Sequence, residues 1–167
     1  MSDPRFAVEN LNRKINQAAR NSICELVLAW ASYDSLVSQW IIVSFALPLD
    51  AGSILIGNMD TRTKLERLEA LYRHHGISGA TSIKALRTEH RDHVGIRNRV
   101  CHAHCAGSFR SDPKRIVFAP VKDVRGEPGQ MLVEAIHVDQ MRAAAAFATN
   151  AAKNINRLVD AALERRG

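Results

Sequence analysis

Reactive side chains crowd into one stretch: His90, His93, Arg97, Asn98, Cys101, His102, His104 and Cys105. On a helix turning about 100° per residue, the last six share an arc of roughly 160°. Asn98 and His102 stand four apart on one stripe. Arg97 lies further round, with a side chain long enough to reach back. Ile96, Val100 and Ala103 face the other way and suit a core. RNA is cut without a metal when its own 2′-hydroxyl attacks the neighbouring phosphate. That reaction asks for a group that moves protons near neutral pH, and an ordinary imidazole titrates at about 6.5. It also asks for a fixed cation on the phosphorane, where the guanidinium fork matches phosphate oxygens. His102 fits the first role, Arg97 the second, and the Asn98 amide can orient either. One histidine serves two proton steps poorly, so two copies meeting across a symmetric dimer are expected.

Plainer readings of the same residues exist. Arg97 can be a surface arginine and His102 an imidazole satisfied in the interior. Cys101, His102, His104 and Cys105, with His90 and His93, include zinc-type ligands, which would make the chain a metal-binding regulator. Structural zinc sites usually draw on a second element, and no Cys-x2-Cys pair occurs elsewhere. No metal and no cofactor are therefore expected, and the cysteines read as small packing residues. Asp34, four after Trp30, lies close to an apolar stripe and wants a partner. Arg97 or His102 would serve, unless Asp34 is a rim carboxylate. Arg99, with Arg87, Arg91, Arg110, Lys114 and Arg115, flanks the cluster and can guide phosphate or simply solvate the surface.

The elements that must position these residues are mainly helical. Ser2 or Asp3 before Pro4 is a helix start. Apolar or small residues then recur in steps of three and four from Val8 to Ser44, predicting one long helix or two collinear ones over about Asp3–Ala46, ended before Pro48. The stretch from Pro48 to Met59 reads as a loop with an apolar plug, Ile54-Leu55-Ile56. Asp60 or Thr61 can cap a second helix carrying Leu65, Leu68 and Tyr72, which Gly76 ends. A third helix is predicted from Ser82 to about Ala106, stopped by Gly107. Residues 115–121 and 131–136 are β-prone and flank the turn-rich Arg125-Gly126-Glu127-Pro128-Gly129, predicting a β-hairpin at about 114–137. Two strands alone are marginal, so they should rest on the helices or pair with another chain. Met141, Ala144, Ala148, Ala151, Ile155, Leu158 and Ala162 mark a long closing helix with a small-residue face. The expectation is a single mainly α domain over 1–167: a helical bundle with a two-stranded β-hairpin insert before the last long helix.

Arg97-Asn98-Arg99-Val100-Cys101-His102 resembles the Arg-x4–6-His signature of HEPN domains, including the polar residue that often follows the arginine. These helical domains commonly dimerise and include RNases of toxin–antitoxin, phage-defence and CRISPR systems. The resemblance implies Arg97 and His102 as catalytic residues meeting their copies at a dimer interface, with Asn98 in support. Many family toxins carry a tyrosine two residues after the histidine, the site that a partner antitoxin modifies. His104 stands there in this chain, and the hairpin is an addition to the plain bundle.

Composition agrees with a globular chain: 46% hydrophobic and 24% charged residues exclude disorder, and a net charge of +6 either attracts polyanions such as RNA, DNA or anionic lipid or simply keeps the surface solvated. Three cysteines, two of them four apart, do not form a disulfide framework. The N-terminus lacks the basic start and early apolar core of a signal peptide. The most apolar run, Trp40 to Leu47, is shorter than the ~20 residues of a membrane span. The chain is expected to act on RNA in the cytoplasm as a homodimer, with an antitoxin as a candidate partner and no membrane. The alternative from another class is a non-catalytic dimeric interaction module.

Overall fold

The computed structural model describes residues 8–120 and 133–164. The chain is mainly helical with a small antiparallel sheet. By contact it falls into two compact units. One comprises Met1–Leu28 and Val94–Ala145, and the other Ala29–His93 and Ala146–Gly167.

The first unit holds the sheet. Its strands are β1 (Leu11–Asn12), β2 (Ala103–Phe109), β3 (Arg115–Pro120) and β4 (Glu134–His137), hydrogen-bonded in that order and all antiparallel. The predicted pair of β-prone runs is present: Ile116 stands opposite Ile136, and Val117 opposite Ala135. The sheet nevertheless has four strands where the sequence suggested two. Ala103–Phe109, expected to extend a helix to Ala106, is a strand. The reason lies in β3, whose Ile116, Val117, Phe118 and Ala119 are buried on both faces. A strand buried that way is central and needs hydrogen-bonded neighbours on both edges, and this tertiary demand overrides local helix propensity. Ala106 is the extra residue of a β-bulge between Cys105 and Gly107. Gly107 has φ +126, and a Cβ there would meet the backbone of Asn12, so only glycine lets β1 approach this closely. The predicted turn at 125–129 lies outside the described residues.

Helix α1 (Gln17–Ser44) begins later than its periodicity suggests. Leu11 pairs with Phe109 in the sheet, and Asn16 starts the helix by accepting the Ala19 N–H at 2.8 Å. At 28 residues, with an 18-residue window of mean hydropathy 1.3, α1 is long and apolar enough, by length and composition alone, to cross a membrane. The contiguous run Trp40–Leu47 understates this, because Leu26, Val27, Leu28, Leu36 and Val37 upstream raise the average. The stripe Leu26, Trp30, Tyr33, Val37, Trp40 and Ile41 is buried, while Val27 and Leu28 on the same helix are exposed.

The second unit is helical. Pro48–Met59 is not a loop: Leu49–Ile56 forms α2, with Ile56 buried and Leu49, Ile54 and Leu55 exposed. Helix α3 (Thr61–His74) is capped as expected by Asp60, whose carboxylate accepts the Thr63 N–H at 2.7 Å. That bond, more than any nearby charge, holds the Asp60 carboxyl below its usual value. Gly76, at φ +64, turns the chain away after α3. Helix α4 (Ala80–His102) runs on into the first unit. Trp40 Nε1 donates to Tyr72 Oη at 3.0 Å, tying α1 to α3. Trp30, Tyr33, His90 and Phe147 form an aromatic cluster with ring centroids 5.2–5.9 Å apart. The last helix, α5 (Val138–Glu164), starts with a capping box in which Gln140 Oε1 accepts the His137 N–H at 2.9 Å.

Candidate active site

Arg97, Asn98 and His102 occupy the last two turns of α4, within the first unit. Asn98 and His102 are exposed and Arg97 is half-buried. Arg97 Nη1 donates to Asn98 Oδ1 at 3.0 Å and lies 3.2 Å from His102 Nε2. One guanidinium nitrogen thus gathers the amide and the imidazole. A guanidinium only donates, so the second contact is a hydrogen bond when Nε2 offers a lone pair and the ring proton is on Nδ1. An arriving phosphate would draw the guanidinium to itself and leave Nε2 available as a base.

The helix stops at His102, and Ala103 is already in β2. The imidazole therefore stands at a helix–strand junction without a linker. The break also corrects the expected arc, because His104 and Cys105 belong to β2, opposite Ala119 and Phe118. His104 is exposed, and among the described residues no bond joins it to Arg97 or His102.

Arg99 is committed elsewhere in the same unit: its Nε pairs with the Glu134 carboxylate, clipping the end of α4 to β4. Glu134 was a legible signal, since a carboxylate inside the apolar run Leu132-Val133-Glu134-Ala135-Ile136 needs a counterion. Asp34 lies in the second unit, and its partners are neither Arg97 nor His102. Its Oδ1 and Oδ2 accept from Lys64 Nζ at 3.0 and 3.1 Å, and Thr61 Oγ1 donates to Oδ1 at 2.5 Å. Lys64 is buried at 3% exposure, so Asp34 neutralises an interior ammonium and holds the start of α3 to α1.

Among the described residues no group of three or more His, Cys, Asp or Glu side chains is arranged to hold a metal ion. Cys24, Cys101 and Cys105 are free thiols. No family model, no curated protein and no solved structure matches this chain.

Proposed function

We propose that the chain is a HEPN-like, metal-independent endoribonuclease acting in the cytoplasm as a homodimer. The observation that carries this reading is the contact of Arg97 Nη1 with both Asn98 Oδ1 and His102 Nε2 at the accessible end of α4. Arg97 grips a non-bridging phosphate oxygen, and Asn98 keeps the guanidinium in place. His102 Nε2 takes the proton of the 2′-hydroxyl as that oxygen attacks phosphorus. The bond from phosphorus to the 5′-oxygen breaks, and His102 of a second copy returns a proton to the departing oxygen. The products are a 2′,3′-cyclic phosphate and a 5′-hydroxyl. The charge of +6 favours a polyanionic substrate. With His104 where many family toxins carry tyrosine, an antitoxin that restrains this chain would act by contact rather than by modifying that position.

The experiment is RNA cleavage in EDTA, with product ends identified. Wild type is expected to cut and leave the cyclic phosphate, and His102→Ala to lose cleavage while keeping its circular dichroism. Equal behaviour of the two proteins would remove the enzyme reading. It would favour a non-catalytic dimeric module, for which the exposed Leu49, Ile54 and Leu55 of α2 offer a contact surface.

A further inference from the structure

A second polar feature of the first unit lies at the far end of β2. A cleft of about 600 Å³ opens beside the turn joining β2 to β3, lined among others by Phe109, Arg110, Ser111, Asp112 and Arg115. The turn is built rather than slack. Asp112 Oδ1 accepts the Lys114 N–H at 3.1 Å, and Asp112 O accepts the Arg115 N–H at 3.0 Å. Arg110 N donates to Asn10 O at 3.0 Å and its Nε to Leu11 O at 3.2 Å, so the guanidinium is anchored through one nitrogen. Its two terminal nitrogens have no partner among the described residues. Arg115 Nε pairs with Asp112 Oδ2 at 3.2 Å, and its side chain is 57% exposed. Of the charged side chains that line the cleft, Arg110 and Arg115 outnumber the one carboxylate, Asp112. The cleft is thus cationic, with a half-buried aromatic ring on its wall.

We propose that this cleft is a subsite for single-stranded RNA, holding phosphates on Arg110 and Arg115 and a base against Phe109. Paired guanidiniums and a ring are the combination that unpaired nucleic acid uses, because every base has a face to stack. Strand β2 joins the cleft to His102 directly, and seven extended residues place the two about 20 Å apart. A strand lying along β2 would reach the cleft several nucleotides from the bond being cut. This assignment rests on the ribonuclease reading for its direction, but its test does not.

The test uses an RNA of about ten nucleotides, 2′-O-methylated throughout so that it cannot be cut. Its binding to the full chain is followed by fluorescence anisotropy across a salt series. Arg115→Ala is expected to weaken binding several-fold and to flatten the salt slope by about one. Arg110→Gln with Arg115→Ala should flatten it by about two. Unchanged affinity and slope in Arg115→Ala, whose exposed side chain leaves the fold intact, would overturn the subsite even if wild type cuts RNA. Loss of binding in the arginine variants of a protein that cuts nothing would keep the subsite and remove the enzyme. Inorganic phosphate or a nucleoside monophosphate that displaces the oligonucleotide as well as unlabelled RNA does would make this a small-anion site and overturn the RNA assignment. A duplex of the same sequence that binds as well as the single strand, with the same dependence on Arg115, would also overturn it.

Discussion

Arg97 Nη1 lies 3.2 Å from His102 Nε2 although the two residues are five apart, further round a helix than neighbours on one stripe. The reach of the guanidinium closes that gap, and the same nitrogen also holds Asn98.

Arg97→Lys keeps the charge and loses the fork. It is expected to lower single-turnover cleavage by about 10²–10³-fold, the scale of losing one donor to a transition-state oxyanion. Asn98→Ala should cost less, about tenfold, because the amide acts through Arg97. Cleavage by Arg97→Lys at the wild-type rate would show that the fork is idle.

Asp34 is a matter of stability. Asp34→Ala leaves the Lys64 ammonium buried without its counter-charge, and a loss of about 2–3 kcal/mol is expected, the low end for a broken buried pair because the Asp34 side chain is 44% exposed. Adding Lys64→Met should recover much of it. Denaturant midpoints of wild type, single and double variant measure the coupling. No recovery in the double variant would mean that Thr61 and packing, rather than charge, hold α3.

Tyr33 predicts an alkaline weakness. Burial first, then the charges of Asp34 and Glu89, push its phenol well above the ordinary value. A group whose folded value is raised contributes stability fully present below its unfolded value, about 10, and lost as pH rises beyond it. Wild type should therefore lose stability above about pH 10, and Tyr33→Phe should lose less over the same range. Urea midpoints from neutral to alkaline pH would show it, and parallel curves would refute it.

Much of this was legible in the sequence. The cap at Asp60, the stop at Gly76, the core stripe of α1 and the closing helix follow from spacing and capping chemistry, and Ile116–Phe118 reads as a strand. Arg97, Asn98 and His102 were found by residue type and come into contact. What could not be read was set by partners distant in sequence. Ala103–Phe109 looks helical until β3 requires a neighbour, and Leu11 looks like part of a helical stripe until Phe109 pairs with it. The partner of Asp34 was equally hidden, because Lys64, thirty residues on, reads from sequence as an ordinary surface lysine.

The junction at His102–Ala103 gives the beginning of the chain an unexpected hold over the imidazole. Strand β2 takes its register partly from Leu11 and Asn12, and a slip of one residue in a strand turns every side chain to the opposite face. His102, with no spacer to absorb such a slip, would be carried with it. A segment bearing none of the reactive groups thus acts as the gauge that sets them, and trimming or tagging the chain close to Leu11 would mistune the site while leaving its residues untouched.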